Sequence, residues 1–251
     1  MHIPKYLYKY RSMHTKKDRE HTLRILTHNE IYFAKCTEFN DPFDCNLHIS
    51  CEGDFTTHKE KLRKLNPDFS EAKLDIQTQK DLQQENIKKR ERKVNNDIQR
   101  ITENAGIFSM SVKRDNLLMW SHYADYHRGI CIEFKTTNSK LFGCDLLKVD
   151  YVVNHPRFTI YDEADFEFVK KRVSTKSKDW EYEEEWRIIF RETGCQYFPS
   201  EELNGVILGA YISKRSKAMV LKCLSETNCT VKLYEAHKCK NRFGLDIIPI
   251  K

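Results

Sequence analysis

The sequence lacks any apolar run long enough to cross a membrane. Its longest near-continuous apolar stretch, residues 206–212, contains a glycine, whereas a bilayer-spanning helix needs about 20 apolar residues. The first residues also lack the apolar core of a signal peptide. We therefore expect no membrane partner and no export.

Closely spaced cysteine pairs of the CxxC type are absent as well. The count of nine cysteines is odd, which favours reduced thiols and a cytoplasmic location. Two groups could be considered for zinc: His122, His127 and Cys131, or Cys45 and Cys51. Neither has the spacing of a zinc finger or ribbon, so we expect no metal.

The signature loops of several enzyme classes are also missing. No GxGxxG, Walker A, GxSxG or HExxH motif occurs, which argues against Rossmann, P-loop, serine-hydrolase and zinc-protease functions. One metal-dependent alternative stays open. Asp41, Asp44, Glu133 and Lys135 carry the residue types of a nuclease site that binds a divalent cation.

What is present is enough apolar material for one sizeable core. The chain has 251 residues, of which 39% are hydrophobic and 12% aromatic. Many β-forming segments alternate irregularly with helical ones, which indicates an α+β fold with a mixed, mainly antiparallel sheet. We predict a single domain over residues 1–251.

Residues 56–105 differ in character from the rest of the chain. They hold many charges and one aromatic residue, Phe69, while Ile87, Val94, Ile98 and Ile101 share one helical face. We predict a helical insertion of two helices. It is either a solvated appendage or an arm that binds a partner.

Two clusters could carry chemistry. In the first, residues 118–129, helical spacing puts Trp120, Tyr123 and His127 on one face, where they could stack a planar ring or serve as core aromatics. In the second, residues 180–187, strand periodicity places Glu183, Glu185 and Arg187 on one face. Such carboxylates could act in acid–base catalysis or form an ion-pair ladder.

Five motifs in order resemble a bacterial family known only as a domain of unknown function. They cover nearly the whole chain apart from residues 56–105. The motifs are Tyr10-Arg11, residues 39–44 (FNDPFD), Phe108-Ser109-x-Ser111, residues 120–124 (WSHYA) with His127 and Gly129, and residues 182–187 (YEEEWR).

Part of this set is also similar to ADP-ribosyltransferases, which carry Arg, S-x-S and E-x-E motifs in that order. The resemblance implies an ADP-ribosyltransferase-like sheet and NAD as the substrate that supplies ADP-ribose. It implies catalysis by Glu185 with Glu183 acting on the acceptor. It also implies that Arg11 binds NAD and that Ser109 and Ser111 shape its pocket. The WSHYA segment has no obvious counterpart in known transferases; we add its Trp120, His122 and Tyr123 to the pocket because Trp and Tyr can stack a planar ring and His can donate to a phosphate or ribose. The alternatives are a non-catalytic nucleotide- or partner-binding module and the metal-dependent nuclease.

The basic surplus of the chain lies at one end. The formal net charge is +6, and residues 214–251 contain nine Lys and Arg against three Asp and Glu, a balance of 9 − 3 = +6. This segment of the same domain either is a solvated edge or binds nucleic acid through Lys238, Lys240 and Arg242.

An unrestrained transferase would be toxic, in the manner of a toxin or antiphage defence protein. We therefore expect an antitoxin-like or regulatory protein on the helical insertion.

Overall fold

The computed structural model describes residues 2–137, 139, 146–162, 165–227 and 230–250. The chain divides into two compact units. The first unit combines Met1–Lys35, Ala105–Val149 and Lys178–Lys251, and the second combines Cys36–Asn104 and Asp150–Ser177. The predicted insertion thus falls in a unit that also contains residues on both sides of it. That the chain folds as one domain stays a prediction.

The described residues form seven α-helices and fourteen strands. The helices are α1 (Lys16–His28), α2 (Phe55–Leu65), α3 (Glu71–Asp81), α4 (Gln84–Asn104), α5 (Leu117–Tyr123), α6 (Asp165–Ser174) and α7 (Lys214–Glu226). The strands are β1 (Tyr6–Arg11), β2 (Glu30–Phe33), β3 (Ile49–Ser50), β4 (Gly106–Ser111), β5 (Ile130–Lys135), β6 (Leu146–Lys148), β7 (Asp150–Val152), β8 (Phe158–Thr159), β9 (Thr175–Ser177), β10 (Glu185–Phe190), β11 (Gly194–Tyr197), β12 (Leu203–Leu208), β13 (Lys232–Lys238) and β14 (Leu245–Pro249).

The first unit is built on an eight-stranded sheet with the order β14-β13-β12-β5-β1-β4-β10-β6. Only the β12–β13 pair in it is parallel; the others are antiparallel. Helices accompany this mixed, mostly antiparallel sheet, which confirms the predicted α+β class. Strands β1, β4 and β10 lie side by side, and they carry four residues of the predicted site: Arg11, Ser109, Ser111 and Glu185.

The two faces of this sheet differ, because successive side chains of a strand point to opposite sides. On the face we call the α1 face, Leu7, Phe108 and Trp186 pack in one core with Ile25 and Leu26 of α1. On the opposite face, called the α5 face, Tyr8, Tyr10 and Cys131 pack with Met119 and Trp120 of α5. A residue of β1, β4 or β10 can therefore be assigned to a face by its position in the alternation.

The second unit contains the helices of the predicted insertion, but there are three of them. Pro67 disfavours helical backbone at the residue before it, and α2 ends at Leu65. Ser70 then caps α3 by accepting a hydrogen bond from the backbone N–H of Lys73. Of the four residues predicted to share one helical face, Ile87 and Ile98 are buried, whereas Ile101 is 53% exposed.

The core of the second unit is formed by short parallel strand pairs and helices. Strand β3 pairs with β8, and β7 pairs with β9. Residues in and next to the β3–β8 pair pack with α4 and α6 in a cluster made of Ile49, Cys51, Ile87, Ile98, Ile160, Phe168 and Val169. The predicted turn at residues 39–44 is also present. There the Asp41 carboxylate accepts a hydrogen bond from the backbone N–H of Phe43 at 2.9 Å.

No described helix is both long and apolar enough to span a membrane. The seven cysteines in the described part of the chain are free thiols.

Candidate active site

The acidic cluster turns sharply before it enters the sheet. We predicted a strand that already includes Glu183, but residues Lys178–Glu183 form a 3₁₀ helix and β10 begins at Glu185. Between them, Glu184 has a left-handed backbone with φ of 43°, a conformation uncommon for residues other than glycine. The turn leaves Glu183 and Glu185 buried and Glu184 exposed, where it pairs with Lys113 at 3.3 Å.

Glu185 is fixed by a buried ion pair on the α5 face. Arg187 donates from Nε to Oε1 and from Nη2 to Oε2 of Glu185, both at 2.9 Å. The two residues are 0% and 5% exposed. The predicted pairing of Arg187 with an acid on its own strand face is therefore confirmed, and the pair is buried rather than part of a surface ladder. Such bidentate pairs fix the carboxylate in position and orientation.

Glu183, the last residue of the 3₁₀ helix, is held by a side chain of α5. The Tyr123 hydroxyl donates to Oε1 of Glu183 at 2.6 Å. Asn116 connects the same two segments, because its side-chain oxygen caps α5 while its amide donates to the Tyr182 carbonyl at 2.9 Å. Sequence reasoning missed Asn116, although an Asn directly before an apolar helix is a known start signal.

An aromatic edge lies beside these carboxylates. The exposed ring of His122 has its centroid 6.2 Å from that of Tyr182 and 6.5 Å from that of Trp180. Trp180 and Tyr182 are themselves 6.0 Å apart. Half-buried aromatic rings of this kind offer faces on which a planar base or pyridine ring can stack.

Trp120 does not belong to that edge. It is 0% exposed, packs edge-on against Tyr10 and donates from Nε1 to the Arg114 carbonyl at 2.9 Å. A ligand ring has no access to it, so direct stacking by Trp120 is wrong and its role is that of a core aromatic with a satisfied polar atom.

The chain leaves the helix after Tyr123, so the helical spacing that put His127 on one face with Trp120 and Tyr123 does not hold. Helix α5 ends at Tyr123, and Asp125, Tyr126 and His127 all have positive φ. The His127 ring stacks on Trp120 with a centroid distance of 6.3 Å. Gly129 completes the loop, because a Cβ there would lie 2.1 Å from the Arg11 carbonyl oxygen. The loop thus needs glycine at that position.

The two serines of the S-x-S motif reach the α5 face next to the acidic strand. Ser109 pairs with Arg187 and Ser111 with Glu185 in the β4–β10 register. Ser111 is fully buried, and its hydroxyl accepts from the Lys113 N–H at 3.0 Å. On the other side, Ser111 pairs with Tyr8.

A third buried carboxylate, that of Glu133, continues this row across the sheet. The Tyr8 hydroxyl donates to Glu133 at 2.9 Å, and burial together with Glu133 raises the Tyr8 pKa. Glu133 is thus held by a tyrosine, as Glu183 is. Both tyrosine–glutamate bonds stand on the face that carries Glu185.

Arg11 lies on the opposite side of the sheet from this row. Within β1 it alternates with Tyr10 and has the same parity as Leu7, and its Nε donates to Thr22 of α1 at 3.3 Å. Arg11 is therefore on the α1 face, while Glu185 is on the α5 face. The expectation that Arg11 shares a pocket with the serines and glutamates is wrong, because the backbone of the sheet separates them.

Lys9 is a charged group that sequence reasoning missed. It lies beside Arg11 on the α1 face, donates to the Ser109 carbonyl at 2.7 Å and places Nζ 4.8 Å from the Phe108 ring centroid. Burial, and then the positive charge of Arg11, lower its pKa to about 7. The alternation of the first strand could have indicated this, since Lys9 stands between two buried tyrosines but points with Leu7.

The three predicted nucleic-acid contacts lie on the β13–β14 hairpin. Lys238 ends β13 and places Nζ 5.4 Å from the ring centroid of Tyr211. Lys240 is exposed in the turn, and Arg242 pairs with Asp246 at 3.1 Å. Phe243 at the tip is fully exposed.

Among the described residues, no group of three or more His, Cys, Asp or Glu side chains is arranged to hold a metal ion. The searches of curated proteins and of solved structures found no match to this chain. A search of family models did find one, and the matched segment runs from Met119 within α5 through β5 to Ile188 within β10, including Glu183, Glu185 and Arg187. Residues 119–188 match the family described as "Protein of unknown function (DUF2971)", which confirms the predicted resemblance to a domain-of-unknown-function family.

Proposed function

We propose that this protein is an NAD-dependent ADP-ribosyltransferase that modifies a macromolecule. The observation that carries the proposal is the pair Glu183 and Glu185, two buried carboxylates held by Tyr123 and Arg187 on one face of the sheet. The aromatic edge of His122, Trp180 and Tyr182 supports it, since such rings can stack the planar parts of NAD.

The chemistry requires a carboxylate in a fixed position. When the bond between nicotinamide and ribose breaks, nicotinamide leaves with the bonding electron pair and positive charge develops on the ribose. A preorganised carboxylate stabilises that charge without having to reorganise. Glu185 has this role in the proposal. Glu183 accepts the proton that the acceptor nucleophile loses when it attacks the ribose C1′ atom.

The other predicted site residues enter the proposal unequally. Ser109 and Ser111 border the carboxylates on the same face, and His122 and Tyr123 lie at the aromatic edge. Trp120 supports this arrangement from the core, and Arg11 is left out because it lies on the other face.

The test is NAD turnover by the full chain and its variants. Purified protein is incubated with NAD labelled in its adenylate phosphate, and nicotinamide release and label transfer to separate protein and RNA pools are measured. We expect Glu185→Gln to lower turnover by about 100- to 1000-fold and Glu183→Gln to abolish transfer more strongly than hydrolysis. The matched control is Glu184→Gln, which removes the exposed neighbour and leaves turnover unchanged.

Two results would contradict the proposal. One is the absence of NAD turnover with every acceptor pool, and the other is full turnover by a folded Glu185→Gln variant. A thermal shift with NAD but no turnover would favour the binding module. Nucleic-acid cleavage that requires Mg²⁺ or Mn²⁺ and ignores NAD would favour the nuclease.

We propose nucleic acid as the acceptor, because the β13–β14 hairpin carries basic residues and an exposed aromatic ring. Its fully exposed Phe243 follows Lys240 and Arg242 in the same turn, and basic side chains with an exposed aromatic ring suit the backbone and bases of a single strand. We expect charge reversal of Lys238, Lys240 and Arg242 to weaken RNA binding and to flatten its salt dependence. Unchanged affinity would leave only a solvated basic edge.

A cytoplasmic location and a toxin- or defence-like role belong to the same proposal. Expression of the active chain should then arrest growth, whereas Glu185→Gln should be tolerated. The regulatory partner is proposed to contact the helices of residues 56–105, where Ile76 and Ile101 are 68% and 53% exposed. If Ile76→Asp and Ile101→Asp together leave the binding of every regulator unchanged, this part of the proposal fails.

A further inference from the structure

A cleft of about 320 Å³ opens on the α1 face of the sheet in the first unit. Its walls come from α1, β1, β2, β4 and β11 and include Arg11, His21, Ile25, Tyr32 and Phe108. The volume is at the lower end of the range for small-molecule sites. Because Glu185 and Glu183 belong to the α5 face, this cleft is distinct from the candidate active site.

The cleft lies where the backbone pairing of β4 passes from β1 to Ala34, the residue after β2. Strand β1 pairs with β4 at Tyr8 and Ser111, but four residues earlier in β4, Ile107 pairs with Ala34 instead. The end of β1 is thus no longer covered by β4, and Arg11 at that end borders the open space. Phe108, next to Ile107, forms the apolar floor.

The charge in this cleft is unbalanced. Arg24 is neutralised by Glu30, which accepts from Nε at 2.7 Å and from Nη2 at 2.5 Å. Arg11 instead has one hydrogen bond, from Nε to the neutral Thr22 hydroxyl, and no carboxylate of the described residues lies within ion-pair distance of it. Its two Nη groups, which can donate in parallel to an oxyanion, are left for a ligand.

Burial and electrostatics agree with this description of Arg11. Burial lowers its pKa, and Asp18 opposes that shift only through space. Asp18 is already used at the start of α1, where it accepts from Ser12 and from the Thr15 N–H, both at 3.1 Å. A half-buried guanidinium without a counter-ion is costly unless an anion binds it.

We propose that the cleft binds the phosphate group of a small molecule, with Arg11 as the anchor. The phosphate oxygens would accept from the Nη groups of Arg11, and the rest of the ligand would contact Ile25, Phe108 and Tyr32. His21, exposed on α1, lies at the entrance. A phosphorylated metabolite with an apolar or planar body fits this combination, and the site is separate from that of NAD cleavage.

The experiment measures binding to the full chain by calorimetry with four probes: inorganic phosphate, pyrophosphate, adenosine monophosphate and acetate. We expect saturable binding of the phosphate probes in the millimolar range or tighter, with the monophosphate tightest and acetate weakest. Arg11→Gln should weaken the phosphate probes by at least about tenfold, since it removes a charge-assisted fork. Arg215→Gln, on the exposed surface of α7, is the control and should bind as the wild type does.

A second variant pair keeps the test valid if Arg11→Gln fails to fold. His21→Glu places a negative charge at the entrance on an exposed helix position and should weaken binding, whereas the neutral His21→Gln should bind nearly normally. Equal affinity in all variants, or no saturable binding by wild type, would overturn the proposal. Acetate binding as tightly as phosphate would overturn the assignment of a phosphate ligand. Inorganic phosphate and pyrophosphate contain no part that the NAD-cleaving carboxylates would recognise, so their binding decides this proposal even if the NAD proposal fails.

Discussion

The two faces of the eight-stranded sheet treat buried charge in opposite ways. On the α5 face three buried carboxylates each have a specific side-chain partner: Glu185 has Arg187, Glu183 has Tyr123 and Glu133 has Tyr8. On the α1 face, the two cations of β1 have no carboxylate in contact. Lys9 bonds a carbonyl and Arg11 a hydroxyl. The α5 face thus holds one buried ion pair and two carboxylates hydrogen-bonded to neutral tyrosines, whereas β1 gives the α1 face two cations hydrogen-bonded to neutral oxygens.

On the α5 face, the hydrogen bonds position the carboxylates of the candidate active site. On the α1 face, the cations are available to bind a negatively charged ligand. Satisfied buried polar networks fix geometry, which is what a carboxylate acting on a developing charge needs. Burial without a nearby carboxylate lowers the pKa of a basic side chain and makes the binding of an anion favourable. On the α1 face we expect the lowered pKa at Lys9 and the bound anion at Arg11. The same strand, β1, thus contributes Tyr8 to one behaviour and Lys9 and Arg11 to the other.

The largest effect that would break the comparison is expected at Arg187. Arg187→Met should destabilise the protein by about 3–5 kcal/mol, because it removes the bidentate cation from a buried carboxylate, that of Glu185. Urea unfolding followed by circular dichroism measures the change. The control Arg191→Gln, at an exposed position just after β10, should stay within about 0.5 kcal/mol of wild type. A cost equal to that of the control would mean that the α5 face is not held by this ion pair.

A smaller effect is expected at the second pairing on the same face. Tyr123→Phe removes the hydroxyl that donates to Glu183 and should cost about 1.5–3 kcal/mol, the range for hydrogen bonds to carboxylates. Tyr126→Phe is the matched control, since Tyr126 is 67% exposed and should tolerate the change. NAD turnover should fall together with stability if Glu183 acts on the acceptor. Unchanged stability and turnover would show that the carboxylate is positioned without Tyr123.

The sequence could predict the strands and their local alternation but not their register. Glu185 and Arg187 are two positions apart on one strand, so the alternation of that strand alone was enough to predict that they lie on the same face. The place of Arg11 depends on the alternation of β1 relative to that of β4 and β10, which is set by the pairing of Tyr8 with Ser111 about 100 positions along the chain. A shift by one residue moves a side chain to the other face, so order along the chain alone placed Arg11 wrongly.

Other site features depend on contacts between distant segments. The bond from Tyr123 to Glu183 joins residues far apart in sequence, and the left-handed turn at Glu184 interrupts the strand pattern in a way that local propensity does not favour. Burial of Trp120 was an open alternative, since an aromatic residue with a polar atom suits a core as well as a ligand site. Only the packing against Tyr10 and His127 decides between them.

The smallest effect concerns Lys9 and depends on pH. Its pKa falls from 10.5 to about 7 in the folded protein, so between these values the unfolded chain binds the proton that the folded chain has lost. Stability should therefore rise with pH across this window, by up to about 1.4 kcal/mol per pH unit, while below pH 7 folding carries the full cost of the buried charge. Lys9→Met should be the more stable protein near neutral pH, and its advantage should shrink as the pH rises towards 10.5.

Urea midpoints of the two proteins at several pH values measure this, with the exposed Lys17→Met as control. Parallel curves for wild type and Lys9→Met would mean that Lys9 keeps an ordinary pKa. The α1 face would then tolerate its positive charge without a bound anion, which would also weaken the case for a ligand at Arg11.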